Sequence, residues 1–133
     1  MAKKRILLAD DHPEFLDEVR SMLDRDYEIA AELINGQALA KAIQELEPDL
    51  VISDISMPVM NGFECVSKIR SLGLKTKLIF LTVHASPAYL RKARSLGVQG
   101  YVLKICAAEQ LLSAVSSVLA GGIFISPELL AAQ

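Results

Sequence analysis

The sequence predicts an α/β chain built on a doubly wound, five-stranded parallel sheet. Two observations carry that prediction. Five short apolar runs alternate with five stretches whose apolar residues recur at helical spacing, the order that right-handed crossovers between parallel strands produce. The first run, residues 5–9, is also continuously apolar from Ile6 to Ala9 instead of alternating with polar residues, as expected of a strand buried on both faces.

Residues 5–9 form the first run. Pro13 then suits a first helical turn, and Phe15, Leu16, Val19, Met22 and Leu23 follow at helical spacing. Residues 28–34 predict a second strand, broken by Asn35-Gly36. Leu39, Ala42, Ile43 and Leu46 mark the inner stripe of a second helix, stopped by Pro48. Residues 50–53 predict a third strand. Met57-Pro58 and Asn61-Gly62 mark a loop, and Phe63, Val66, Ile69 and Leu72 give a third helix ending at Gly73. Residues 77–82 predict a fourth strand, Ser86-Pro87 opens a helix closed by Gly97, and residues 100–103 predict the fifth strand. The last long helix carries Leu111, Leu112, Val115, Val118 and Leu119 and ends at Gly121-Gly122; Ser126-Pro127-Glu128 has the form of the cap and first turn of one more short helix.

Composition narrows the function classes. A chain of 133 residues fits one domain with a real core, and 52% apolar content argues against disorder. The formal net charge is −2, and no basic run follows Lys3-Lys4-Arg5, so the footprint of a direct nucleic-acid binder is missing. The two cysteines, Cys65 and Cys106, form no disulfide or metal pattern, which fits a reducing cytoplasmic location. No apolar stretch is long enough for a bilayer, and the N-terminus lacks a signal-peptide core, so no membrane partner is expected.

Chemistry concentrates where the apolar runs stop. The first ends on Asp10-Asp11, the third on Asp54, the fourth on Thr82 and the fifth on Lys104. Ligands of open α/β sheets bind outside the carboxyl ends of the strands, so three carboxylates, a hydroxyl and an ammonium are expected to converge there. That set suits a divalent cation and a phosphoryl group. Each residue alone has a plainer reading. Asp54 is also a turn starter ahead of Met57-Pro58, and the paired aspartates also suit the start of a helix. Thr82 is also a β-favouring residue, and Lys104 also a snorkelling lysine. The joint pattern is the argument, because separate strands must all end on the right residue type.

These positions resemble the receiver domain of two-component response regulators over essentially the whole chain. The carriers are Asp10-Asp11, the stretch Asp54-Ile-Ser-Met-Pro58 with Gly62, Thr82, and Gly100-Tyr101-Val-Leu-Lys104. The resemblance implies a flavodoxin-like (βα)5 fold with strand order 2-1-3-4-5. It implies that Asp54 is the phosphoacceptor, supplied by a sensor histidine kinase. Asp10, Asp11, Asp54 and the backbone carbonyl of Ser56 would form a Mg²⁺ site. Thr82 and Lys104 would bind the phosphoryl group, and Tyr101 would be a switch aromatic moving with Thr82. The protein would be a phosphoacceptor that labels and unlabels itself rather than a turnover enzyme.

The opening Asp-Asp-His-Pro-Glu-Phe and the tail Ala120-Gly121-Gly122-Ile-Phe-Ile-Ser-Pro are similar to the branch whose receiver precedes a LuxR-type helix-turn-helix output domain. On that resemblance residues 1–121 are the receiver. Residues 122–133 are an extension, or the start of a linker to an output domain absent from this chain. DNA would be reached only through that domain, with phosphorylation-dependent homodimerisation as a family expectation. Two departures stand out. The family mostly follows its lysine with a cis proline, whereas Ile105 follows Lys104 here. Either a cis bond costing about 3 kcal/mol persists or the loop differs. Val83 stands where the family often has a small residue.

Rival readings conflict with particular residues. A flavin-binding relative of the same architecture would want a Ser/Thr/Gly phosphate loop where Asp10-Asp11 stands. An aspartyl phosphohydrolase would place Asp-x-Asp there, and a partner-binding pseudo-receiver would have lost part of the acid, threonine and lysine set. His12 is expected as a helix-start residue, His84 as a loop residue that tunes access, and Cys106 as a packed thiol.

Overall fold

The computed structural model describes residues 2–131, so the last two residues of the predicted 122–133 extension lie outside the described residues. The elements run β1 (Arg5–Ala9), α1 (Pro13–Leu23), β2 (Glu28–Leu33), α2 (Gly36–Leu46), β3 (Leu50–Ser53), α3 (Gly62–Ser71), β4 (Leu78–Thr82), α4 (Pro87–Ser95), β5 (Gly100–Leu103), α5 (Ala107–Leu119), β6 (Phe124–Ile125) and α6 (Pro127–Ala131). The described strands form one parallel sheet in the order β2-β1-β3-β4-β5-β6.

The predicted 2-1-3-4-5 order is present, but the strand count needs correcting from five to six. The added strand is a two-residue segment in which Phe124 and Ile125 pair with Gly100 and Tyr101. Two residues are too few to show any periodicity, and Gly121-Gly122 hides them behind a helix stop. Tertiary hydrogen bonding creates this strand. Phe124 N–H donates to the Gln99 carbonyl at 3.1 Å and Ser126 N–H to the Tyr101 carbonyl at 2.9 Å, covering the open edge of β5.

Alternate strand residues feed two cores, as the pleat requires. Leu7, Val51, Phe80 and Tyr101 pack with Leu39 and Ile43 of α2, Val66 and Ile69 of α3, and Leu90 of α4. Ile6, Leu8, Ile52, Ile79, Leu81 and Val102 pack with Leu16 and Val19 of α1 and Leu111, Val115 and Val118 of α5. Two cores on opposite faces are what makes the sheet doubly wound.

The Asn-Gly pairs, expected as a strand break and a loop, start helices. Asn35 Oδ1 accepts from Ala38 N–H at 2.8 Å, and Asn61 with Glu64 forms a reciprocal capping box. Gly36 is required by close approach. Its N–H donates to the Met60 carbonyl at 2.8 Å, and a Cβ there would lie 2.1 Å from that oxygen. Backbone cannot yield as a side chain does, so Gly36→Ala should destabilise the chain by about 2 kcal/mol in urea unfolding. An unchanged midpoint would contradict this packing.

All described peptide bonds are trans, so the chain after Lys104 takes its own course, a 3₁₀ turn over Lys104–Cys106. Both cysteines behave as packed thiols. Burial pushes Cys65 up to about 12. Burial also raises Cys106, helped by the neighbouring Glu128.

Candidate functional site

Strand register places the chemistry. Ala9 is level with Ser53, and Thr82 is level with Leu103. The residues that follow Ala9, Ser53 and Leu103 are Asp10, Asp54 and Lys104, so all three emerge together at the carboxyl edge. Backbone bonds hold the first two: Asp10 N–H donates to Leu33 O at 3.0 Å, and Asp54 N–H to Ala9 O at 2.9 Å.

The side chains meet. Lys104 Nζ lies 2.7 Å from Asp10 Oδ2 and 3.1 Å from Asp54 Oδ2. Both carboxylates are almost fully buried, at 3% and 4% exposed. Two such charges require a counter-charge, and Lys104 supplies it. Burial lowers the Lys104 ammonium, but its bonds to Asp10 and Asp54 outweigh that, and its pKa rises above the ordinary value. The ammonium also sits 4.6 Å over the Phe15 ring, which adds cation–π attraction. Ile55 N–H donates to Asp54 Oδ1 at 2.7 Å, which fixes the plane of that carboxylate.

Asp11 is more exposed and stands at the rim. It joins through His12, whose Nδ1 is 2.9 Å from Asp10 Oδ1 and 3.0 Å from Asp11 Oδ1. The bond to Asp10, then the charge of Asp11, raise the His12 pKa. His12 is the N-cap residue of α1, as expected, but its ring turns to the acids instead of capping. Ligand atoms of Asp10, Asp11, His12 and Asp54 all lie within 4.8 Å of one another. Carboxylate oxygens in that arrangement suit a hard divalent cation that keeps several waters. The donor set therefore fits the expected metal.

Thr82, Ser56 and Tyr101 are gathered by His84. Thr82 Oγ1 accepts from His84 N–H at 3.2 Å. Ser56 Oγ pairs with His84 Nε2 at 2.8 Å. The Tyr101 hydroxyl donates to the His84 carbonyl at 2.7 Å. Thr82 is fully buried, Ser56 is exposed, and Tyr101 is only 1% exposed. Burial, then Tyr89 and Asp54, push the Tyr101 phenol up. Sequence reasoning gave His84 only a tuning role in a loop. No pattern signals a hub of this kind, because two of its three bonds use its backbone.

A family model described as "Response regulator receiver domain" matches residues 6–116. The transcriptional regulatory protein DesR of Bacillus subtilis is 34% identical, with 94% of this chain and 63% of DesR covered. The chemotaxis protein CheY of Halobacterium salinarum is 33% identical, with 87% of this chain and 97% of CheY covered. A LuxR-family response regulator from Aurantimonas sp. SI85-9A1 superposes with TM-score 0.92 at 30% identity, covering 98% of this chain and 94% of that one. The receiver domain of RcsB from Salmonella enterica, solved with the phosphomimetic BeF3⁻, superposes with TM-score 0.88 at 26% identity, covering 97% of each chain. The chain spans about three fifths of the length of the curated transcriptional regulators it matches.

Proposed function

This chain belongs to the response regulator receiver family, and on that premise we propose that Asp54 accepts a phosphoryl group from the phosphohistidine of a sensor histidine kinase. The observation that carries the reading is the contact of one half-buried ammonium, Lys104, with both buried carboxylates, Asp54 and Asp10. A carboxylate held in plane at a strand end, beside a fixed cation, is placed to attack phosphorus. An Asp54 oxygen bonds to phosphorus as the P–N bond to the donor breaks, and the electron pair leaves on the imidazole nitrogen. The transition state is loose, so positioning and charge neutralisation do most of the work. Lys104 follows the charge as it moves from carboxylate to phosphoryl oxygen, and the Thr82 hydroxyl covers another oxygen. Mg²⁺ would be held by Asp10, Asp11, Asp54 and the Ser56 carbonyl, and when bound it supplies charge neutralisation at the phosphoryl oxygens.

The switch follows from His84. Thr82 hangs on its N–H and Tyr101 on its carbonyl, so movement of Thr82 toward a phosphoryl group displaces the residue that holds Tyr101. The phosphoryl group biases a two-state surface formed by α4, β5 and α5, by no more than its differential affinity for the two states. We place the receiver at residues 1–121, with the extension 122–133 packing β6 and α6 against it and leading to an output domain through which the protein reaches DNA in the cytoplasm and regulates transcription as a phosphorylation-dependent homodimer. RcsB dimers bound to DNA supply the precedent in a relative.

The test is incubation with a small phosphodonor, with and without Mg²⁺, read by intact mass and by sedimentation. A single phosphoryl increment on Asp54 that requires Mg²⁺ is expected; no increment would overturn the reading. A second outcome concerns Val83, which follows Thr82 and is 69% exposed. We propose that its bulk beside Thr82 narrows the path of attacking water to the acyl phosphate. Val83→Ala should therefore speed loss of the label severalfold, and unchanged or slower decay would contradict that role.

A further inference from the structure

Lys104 carries its charge on a long flexible stem, so its aim depends on where the backbone beneath it is anchored. Ile105, the next residue, is 88% exposed and provides no packing anchor. The anchors come from the C-terminal segment. Leu103 N–H donates to Ser126 Oγ at 3.0 Å, and Ser126 N–H donates to the Tyr101 carbonyl at 2.9 Å. Gln110 ties these together: its Oε1 accepts from Ser126 Oγ at 2.6 Å, and its Nε2 donates to Glu128 Oε1 at 2.7 Å. Ser126 is fully buried, and Leu129, 1% exposed, shares a core cluster with Tyr101, Leu103 and Cys106. The segment thus grips the chain at residues 101, 103 and 110, on both sides of Lys104.

We propose that Ser126 is a positioning residue for Lys104, so that the tail of the receiver sets the aim of the ammonium on Asp54. The proposal rests on the phosphoacceptor reading above. The hydroxyl is needed because it both accepts from Leu103 and donates to Gln110. Alanine leaves a strand N–H and a side-chain carbonyl unpartnered, which frees the end of β5. Coupling through equilibrium binding is reciprocal. A phosphoryl mimic at Asp54 must therefore tighten the Ser126–Leu103 bond as much as that bond favours the mimic.

The experiment compares the wild-type chain with Ser126→Ala, Ser126→Thr and Leu129→Ala, using acetyl phosphate at saturating Mg²⁺ and following the label at Asp54 by mass. Ser126→Ala should label about tenfold more slowly, as a small misplacement of a reacting group does. Ser126→Thr keeps the hydroxyl and should label at close to the wild-type rate. Leu129→Ala weakens the same segment without touching these bonds, and should also stay close to wild type although it lowers the melting temperature more. In the wild-type chain, hydrogen exchange at the Leu103 amide should slow when beryllium fluoride and Mg²⁺ are added. Wild-type labelling in Ser126→Ala, equal slowing in Leu129→Ala and Ser126→Thr, or Leu103 exchange indifferent to the mimic would each overturn the positioning role while leaving Asp54 the phosphoacceptor. A wild-type chain that takes no label would overturn the phosphoacceptor reading, and this proposal with it.

Discussion

Asp54→Asn gives a folded chain that no small phosphodonor labels. The nucleophile is a carboxylate oxygen, and the amide that replaces it is a poor nucleophile of similar shape. The oxygen of that amide can still accept from Ile55 N–H, the bond now made at 2.7 Å, so the local backbone has no reason to move. Lys104 keeps its shorter bond, 2.7 Å to Asp10. The lost Lys104–Asp54 attraction is offset by relief of repulsion among three crowded acids. Stability in EDTA should therefore stay within about 1 kcal/mol of wild type, while labelling falls to background in intact-mass analysis. Labelling of the Asp54→Asn chain at the wild-type rate would remove Asp54 from the mechanism. A chain unfolded by this one change would instead make the carboxylate a structural keystone.

How much of this was legible in the sequence depended on which force set each feature. Asp10, Asp54, Thr82 and Lys104 stood out because burial on both faces writes a strand as an unbroken apolar run, and the polar residues that close the run mark the sheet edge. The order of the five longer strands came from the family resemblance, since the runs themselves do not say which strands are neighbours. Features set by tertiary hydrogen bonds left no such mark. Strand β6 exists because β5 offers it an edge, and no local preference of Phe124-Ile125 predicts it. Asn35-Gly36 and Asn61-Gly62 looked like breaks because asparagine and glycine favour turns. Only the structure shows that the asparagines cap helices and that Gly36 lets one backbone touch another. His84 was invisible for a related reason. A residue that holds Thr82 and Tyr101 with its main chain could be of almost any type there, so its identity carried little of the signal.

Lys104→Met should lower stability by about 3 kcal/mol in EDTA, because it strips the counter-charge from two buried carboxylates while leaving the volume filled. This is the test that separates an electrostatic site from a merely packed one. Methionine fills the volume of the lysine stem, so any loss comes from the missing charge, its cation–π contact with Phe15 included, and not from a cavity. Asp10 and Asp54 would then face each other, moderated by the exposed His12 beside Asp10 and by backbone N–H donors. A divalent cation bound between the acids replaces the missing charge, so Mg²⁺ should stabilise the variant more than it stabilises wild type. In wild type the ammonium and the cation compete for the same carboxylate oxygens, and the gain from Mg²⁺ is smaller by that competition. Labelling should fall about a hundredfold even at saturating Mg²⁺, since a positioned cation aimed at developing phosphoryl charge is worth that much. Urea unfolding with and without Mg²⁺ measures the first effect, and phosphodonor kinetics the second. A variant as stable as wild type in EDTA would mean that the two acids do not depend on Lys104, and that the charge balance of the site is kept by solvent instead.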